Sequence, residues 1–320
     1  MNSNLLIENL TNPALLFFVL GIIAVYLKSD LAIPPNSSKF ISLYLLFAIG
    51  FKGGQELSHE TFTSEIGWSM LFGILISLLI PLYTFFILKK RLNVFNAGAI
   101  AAAYGSVSAV TFVTAVSYLE SQQLTLDGHM VAIMALMESP AIIMGLLLIS
   151  IFNKDDSEKI KKRTAIKHSF TNGSVLLILG SLVIGYLASA KQAEGIRPFT
   201  NDLFKGFLAI FLLDMGITSG KKLKAFFSFG WFPLIFAILI PLINGSVVAL
   251  ISSFITPDIT NRFMFAILAA SASYIAVPAA MKISVPKANP GLFLPMALAV
   301  TFPINITIGM PLYFIIVQNT

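Results

Sequence analysis

The sequence predicts an all-α protein that crosses a membrane many times, and three observations support this fold class. Of its 320 residues, 57% are hydrophobic and only 11% are charged, and the mean hydropathy is +0.86. A soluble protein has about 25% charged residues, so this chain has too few charged residues to form an ordinary solvated surface. Its apolar residues also fall in runs close to the roughly 20 residues that one transmembrane helix requires. These features exclude a soluble enzyme, a nucleic-acid-binding protein and a disulfide-rich secreted domain.

Ten apolar segments can be assigned in order along the chain. Each is long enough to form most or all of a membrane-crossing helix. Their approximate ranges are 13–33, 37–56, 66–88, 94–118, 128–152, 171–190, 199–219, 227–254, 261–282 and 291–317.

Basic residues are distributed unevenly among the connections between these segments. In chain order the odd-numbered connections contain two, three, six, three and two Lys or Arg residues, whereas the even-numbered connections contain three in total. The positive-inside rule places the odd-numbered connections in the cytoplasm and both termini outside. This alternation supports ten spans, because a missed span would mix the two classes of connection. The first twelve residues contain no Lys or Arg, so they lack the basic start of a cleavable signal peptide.

The two halves of the chain resemble each other. Five spans is an odd number, so a second copy of the unit would enter the membrane from the opposite side. Such inverted repeats are typical of secondary transporters. We predict a first repeat at 1–152, a basic cytoplasmic linker at 153–169 and a second repeat at 170–320. The matched pairs lie 160–166 residues apart and include Leu46/Leu212, Gly50/Gly216, Gly54/Gly220, Leu57/Leu223, Trp68/Trp231, Pro81/Pro241, Asn96/Asn261, Ser106/Ser271, Ser108/Ser273 and Pro140/Pro303.

Small residues in the middle of the fourth and ninth spans predict the substrate site. Gly105 and Pro278 weaken a regular helix there, and small side chains allow two backbones to cross closely. A broken helix offers free N–H groups at the N-terminus of its second half, where the helix dipole favours an anion. Close helix packing alone would also explain these residues. The candidate substrate ligands are Gly105, Ser106, Val107, Ser108, Ser271, Ala272 and Ser273.

Glu138 lies deep in the fifth span, and an ionisable group at membrane depth is by default a functional hypothesis. It predicts a Na⁺ ligand or a proton carrier, and a carboxyl group at a water-filled vestibule is the alternative. Since Na⁺ is a hard cation, its ligands should be oxygen atoms. The candidate sodium ligands are Glu138, Thr111, Ser139, Thr301 and Asn305.

Other chemistry finds little support in the sequence. The three His residues lack the spacing of metal ligands and are expected to be solvated. The chain contains no Cys and no motif of a hydrolase, zinc protease or phosphate-binding loop. We therefore expect a protein that is not an enzyme, that uses no cofactor and no metal beyond Na⁺ as the coupling ion, and that contacts lipid but no nucleic acid.

Short motifs that belong together occur along the chain: Gly105–Thr111 followed by Leu119 and Glu120, then Met137–Pro140, Ala269–Ser273, Val285–Pro290 and Ile308–Leu312. In combination they resemble the sodium-dependent bicarbonate transporters of the SbtA type, best known from cyanobacteria. The resemblance spans essentially the whole chain. It implies Na⁺/bicarbonate symport across the plasma (inner) membrane, core and gate domains with an elevator-like movement, a homotrimer, and bicarbonate at the paired segments of spans 4 and 9.

The chain departs from the family pattern in three places. Tyr274 stands where the family often has Asp after the serine run, and Glu138 stands where the acid before Pro is usually Asp. The loop at 153–169 is much shorter than in the cyanobacterial proteins, which bears on the PII-like cytoplasmic regulator that the resemblance implies. Transport of another small anion and proton coupling stay open as alternatives at this point, and a channel is a further one.

Overall fold

A computed structural model describes residues 13–153 and 173–320. Within these ranges every regular element is a helix and no strand occurs, which confirms the all-α class. The first twelve residues lie outside the described residues, and so does the predicted linker at 153–169 apart from Asn153.

Fifteen α-helices are present in the described residues. Several of them have an N-cap side chain: Thr63, Asn93 and Asp258 each accept a hydrogen bond from a backbone N–H in the first turn of the helix that follows. The helices are α1 Pro13–Tyr26, α2 Pro35–His59, α3 Ser64–Lys89, α4 Val94–Gly105, α5 Ala109–Ser121, α6 Gly128–Phe152, α7 Gly173–Leu187, α8 Ala190–Glu194, α9 Phe204–Phe226, α10 Trp231–Ile251, α11 Ile259–Ala270, α12 Ala276–Ser284, α13 Pro290–Pro295, α14 Phe302–Ile304 and α15 Met310–Gln318.

Six stretches among the described residues are long and apolar enough to cross a membrane by length and composition. The other predicted spans contain helices that are shorter, more polar or interrupted, so helix length alone does not establish the ten-span inverted arrangement. The six stretches are Ser64–Lys89, Val94–Ser121, Gly128–Phe152, Pro198–Leu223, Trp231–Phe254 and Pro290–Gln318.

Both predicted helix interruptions are present. The fourth segment divides into α4 and α5, and the ninth divides into α11 and α12. Ser106 and Ser271, which the repeat pairs, end α4 and α11 with the same extended backbone (φ −85°, ψ 170° and φ −78°, ψ 162°). The two breaks therefore have the same local form at matched positions of the two halves.

The tenth segment differs from the continuous helix that its apolar run suggests. Pro295, Pro303 and Pro311 each lack the N–H that an α-helix uses in its ladder. The chain adapts with π-helical turns at Met296–Thr301 and Asn305–Gly309. Such turns are frequent at functional sites because they alter the direction of nearby side chains.

Four helices form one packed group. Helix α1 packs along α9, α2 packs along α7, and α2 also contacts α9. The glycines Gly50 and Gly216, paired by the repeat, make these contacts close: a Cβ at Gly50 would overlap the Ile178 carbonyl of α7, and one at Gly216 would overlap the Phe18 carbonyl of α1. We call α1, α2, α7 and α9 the four-helix group, and the helices α3–α6 and α10–α15 the core group.

Candidate functional site

The two broken segments meet at their breaks inside the protein. The Ser273 N–H donates to the Ala103 carbonyl at 2.8 Å, and the Ser108 N–H donates to Ser271 Oγ at 3.0 Å. Ser271 Oγ in turn donates to the Leu268 carbonyl of its own helix at 3.0 Å. These bonds satisfy buried backbone groups that the breaks would otherwise leave unpaired, which would be costly in an apolar interior.

In both segments a serine side chain also accepts a hydrogen bond from a backbone N–H at the start of the second half-helix. Ser108 Oγ accepts the Thr111 N–H at 3.2 Å at the start of α5, and Ser273 Oγ accepts the Val277 N–H at 3.4 Å at the start of α12. Both serines are almost fully buried. Residues at the N-terminal ends of both α5 and α12 line one cavity.

A small cavity lies against these two helix ends. Its volume is about 30 Å³. Roughly 10–15 Å³ is needed for one water, so the cavity can accommodate an ion or a molecule of few heavy atoms. It is lined by Leu46, Val107, Ser108, Ala109, Met134, Ala135, Glu138, Ile178, Ser273, Tyr274, Ile275 and Ala276.

The electrostatics of this cavity combine opposite charges. The N-terminal ends of α5 and α12 each carry a partial positive charge from the helix dipole. Glu138 from α6 is the one carboxylate of the lining, and its side chain is partly exposed. An anion at the helix ends would be attracted by the dipoles and repelled by an ionised Glu138, so a bound cation or proton would favour its binding.

The structure brings part of the predicted substrate set to the cavity. Val107, Ser108 and Ser273 line it. Gly105 is instead pressed against the Pro81 ring of α3, where a Cβ would not fit.

The other three predicted substrate residues do not line the cavity. Ser271 holds the crossing together through the bonds described above, and Ala272 is buried beside it. Ser106 is fully buried, and its hydroxyl has no hydrogen-bond partner in the described part of the chain.

The predicted sodium ligands are dispersed, and of the five only Glu138 lines the cavity. Thr301 Oγ1 donates to the Ala237 carbonyl at 2.7 Å, and Asn305 Nδ2 donates to the Ala270 carbonyl at 2.7 Å where α11 ends.

Thr111 and Ser139 are buried in the first turn of α5 and in the middle of α6. Sequence reasoning grouped these residues by span, but span membership does not fix the direction in which a side chain points.

Two residues of the four-helix group complete the cavity and were not anticipated. Leu46 of α2 and Ile178 of α7 are part of its lining. Neither carries a chemical signal in the sequence, since apolar residues fill both helices. Their presence places the cavity at the boundary between the two groups of helices.

A polar cluster joins Glu60, which follows α2 and lies outside the membrane-crossing segments, to the first two residues of α6. Glu60 Oε1 accepts the Gly128 N–H at 2.6 Å, and Glu60 Oε2 lies 2.8 Å from His129 Nδ1. His129 is only 4% exposed, so the expectation that it is solvated was wrong. Partial burial opposes ionisation of Glu60, but the hydrogen bond and charge of His129 and the Gly128 N–H outweigh it, which lowers the pKa of Glu60.

Comparison with known proteins identifies the family. The family model described as the Na⁺-dependent bicarbonate transporter superfamily matches residues 13–318. No curated protein matches the chain. Two broken helices that meet at a small cavity and a match over almost the whole length agree with the resemblance in the sequence motifs. The chain therefore belongs to the Na⁺-dependent bicarbonate transporter superfamily, which makes it a multi-pass membrane transporter and not an enzyme.

Proposed function

We propose that this protein takes up bicarbonate by symport with Na⁺. One observation carries the proposal: two half-helix N-termini and the Glu138 carboxylate line a single cavity of about 30 Å³. This arrangement supports a site for a small anion next to a carboxylate whose negative charge a bound cation would offset.

The anion would be bound without a positively charged side chain. Backbone N–H groups at the starts of α5 and α12 and the hydroxyls of Ser108 and Ser273 would donate to its oxygen atoms. We propose that the crossing residues around them support this site from behind. The full set is Gly105, Ser106, Val107, Ser108, Ser271, Ala272 and Ser273.

The coupling ion would act through Glu138. Na⁺ bound to this carboxylate would cancel its repulsion of the anion, and the anion would by reciprocity raise the affinity for Na⁺. Thr111, Ser139, Thr301 and Asn305 are proposed to contribute oxygen ligands in a conformation of the transport cycle that brings them to the ion. A proton on Glu138 would cancel the same charge, so proton coupling is the second candidate.

Alternating access would come from movement of the core group past the four-helix group in an elevator-like manner. The cavity is formed mainly by the core group, with Leu46 and Ile178 as its contacts across the boundary. The reciprocal packing of Gly50 and Gly216 supports two inverted repeats, 1–152 and 170–320, joined by the linker 153–169.

The basic residues of the odd-numbered connections support the remaining topology. We propose ten spans in the plasma (inner) membrane with both termini outside. From the family resemblance we further propose a homotrimer, and a PII-like regulator at the cytoplasmic face is a weaker proposal because the linker is short.

Uptake of labelled inorganic carbon into proteoliposomes tests the function. With an inward Na⁺ gradient, the reconstituted full chain should accumulate label, and excess unlabelled bicarbonate should compete. Collapsing the Na⁺ gradient should abolish accumulation. Accumulation driven by a pH gradient without Na⁺ would show that H⁺ is the coupling ion instead of Na⁺. Uptake that responds to neither gradient would indicate a channel. No uptake by folded protein would refute bicarbonate transport.

A further inference from the structure

Two lysines of the four-helix group bind one carboxylate of the core group through its two separate oxygen atoms. Lys52 Nζ of α2 donates to Glu120 Oε1 at 2.8 Å, and Lys205 Nζ of α9 lies 3.3 Å from Glu120 Oε2. Glu120 is the second-to-last residue of α5. We call Lys52 and Lys205 the lysine clamp. Because each ammonium group takes one oxygen, the clamp has the geometry of a binding site for a carboxylate.

The clamp carries more positive charge than its occupant neutralises. Glu120 is the one carboxylate that the described residues place within 4 Å of either ammonium group. Lys52 is also held in position, since its Nζ lies 5.7 Å from the centroid of the buried Phe204 ring. The side chains of Lys205 and Glu120 are 63% and 27% exposed, so the protein does not enclose the clamp. Lys52 in addition lines a cavity of about 260 Å³, which residues of α2 and α8 share.

The clamp belongs to one group of helices and its occupant to the other. Lys52 and Lys205 lie on α2 and α9 of the four-helix group, whereas Glu120 lies on α5 of the core group. The distribution of basic residues predicts that these ends of the three helices are outside. Movement of the core group past the four-helix group would withdraw Glu120 and leave two like charges without their counterion, which is unfavourable. An anion from solution with two oxygens on one carbon would supply what Glu120 had supplied.

We propose that the lysine clamp is a second anion site of this protein, that it selects small carboxylate-like anions, and that Glu120 occupies it in this conformation. Bicarbonate belongs to this chemical class, because two of its oxygens share one carbon as they do in a carboxylate. The use of the clamp as an entry site for bicarbonate rests on the proposed function. Glu120 would compete with the bound anion when the core group returns, which prevents the clamp from retaining it.

Chemical rescue of Glu120→Ala tests the site without transport. The variant removes the carboxylate from between two lysines, so its unfolding temperature in detergent should fall by about 2–4 °C. Formate, acetate or bicarbonate should recover most of that loss, beyond any effect that the same anion has on wild type. Chloride at the same ionic strength should not, because it offers a single centre instead of two oxygens.

Two control variants separate a binding site from a general effect of charge. Adding Lys52→Gln and Lys205→Gln to Glu120→Ala should abolish the rescue, because the clamp is then absent. Glu194→Ala removes an exposed carboxylate that pairs with Arg197 at 3.3 Å, and it should respond to the anions as wild type does. Equal rescue by chloride and formate, rescue that survives the loss of both lysines, or no rescue of the folded variant would overturn the inference.

Transport by Lys205→Gln supplies a readout in a chain that keeps Glu120, and it decides the matter if Glu120→Ala does not fold. Its half-saturating external bicarbonate concentration should rise about two- to fivefold, as expected for one partly exposed charge. Lys191→Gln removes an exposed lysine of α8 and is the control that should leave this value unchanged. Equal values for Lys205→Gln and wild type would overturn the role of the clamp in entry.

Failure of the proposed function would look different, because wild type would then accumulate no bicarbonate. Rescue of Glu120→Ala by formate in that case would retain the clamp as an anion site and reject its role in bicarbonate entry. Normal uptake by wild type without any rescue of folded Glu120→Ala would retain the proposed function and reject the clamp as a site.

Discussion

At the scale of single residues, Glu138 is the group on which coupling depends. It is the one carboxylate in the lining of a cavity that otherwise presents hydroxyls, apolar side chains and helix N-termini. Its repulsion of a bound anion is absent once a cation or proton neutralises it. The ion dependence of transport should therefore follow the chemistry of this side chain.

Glu138→Gln removes the charge with little change in volume, and we expect Na⁺ to lose its influence on bicarbonate binding. Couplings between sites in proteins are typically about 5- to 150-fold, and wild type should show a Na⁺ effect of that size on the half-saturating bicarbonate concentration. The variant should show none. Glu138→Asp keeps the charge and is the control that should retain a Na⁺ effect. A normal Na⁺ effect in Glu138→Gln would show that other groups bind the ion.

At the scale of helices, close backbone contacts determine which elements form a rigid unit. Gly216 brings α9 against the Phe18 carbonyl of α1, and Gly50 brings α2 against the Ile178 carbonyl of α7. A larger side chain at either position would push the two helix axes apart. These paired contacts hold α1 against α9 and α2 against α7, and the contact between α2 and α9 joins the two pairs.

Gly216→Ala should lower the free energy of unfolding by about 1–3 kcal/mol, because its Cβ meets backbone that cannot move aside. Gly206→Ala is the control in the same helix, since a Cβ there meets nothing within 4 Å. That variant should be neutral or slightly more stable, because Ala favours a helix over Gly by up to about 1 kcal/mol. Thermal unfolding in detergent measures both. Equal stability of the two variants would contradict the close α1–α9 contact.

At the scale of the whole molecule, polar contacts join the two groups of helices near one face. Lys52 of α2 lies 2.8 Å from Glu120 at the end of α5, and Lys205 of α9 lies 3.3 Å from the same carboxylate. Glu60 connects the end of α2 to Gly128 and His129 of α6. If the groups move past each other, these bonds stabilise one position of the cycle.

The free energy of unfolding of the protein in this conformation should depend on pH through the carboxyl group of Glu60. Its pKa in the folded protein lies below the ordinary 4.5, so the ionised carboxylate adds stability that is fully present above 4.5. That contribution is lost as the pH falls through the lower, folded-state value. Thermal unfolding between pH 3 and pH 7 should therefore show a smaller acid-induced loss in Glu60→Gln than in wild type.

The same variant should be less stable at neutral pH, by about 1–3 kcal/mol, because the buried His129 loses its charged partner. Glu56→Gln changes an exposed carboxylate of α2, the helix that ends directly before Glu60, and is the control that should unfold as wild type does. A Glu60→Gln profile that overlies wild type would mean that this contact does not stabilise the protein.

The sequence alone was sufficient for the features that depend on composition and local backbone preference. Low charge and long apolar runs predicted a helical membrane protein, and Gly105, Pro278 and the paired serines predicted both helix breaks. These predictions succeeded because a break needs only residues that weaken a helix and caps that satisfy the freed backbone groups. The ten-span inverted arrangement stays a prediction, supported by charge alternation and matched glycines.

Features that depend on how helices rotate and pack needed the three-dimensional arrangement. Thr301 and Asn305 lie in the tenth span, where prolines and π-helical turns interrupt the regular helix, and they bond the Ala237 and Ala270 carbonyls instead of lining the cavity. Leu46 joins the cavity from a distant helix with no chemical signal of its own. A sequence records which side chains are available, whereas the packing of one helix against another determines which of them face the same few ångströms of space.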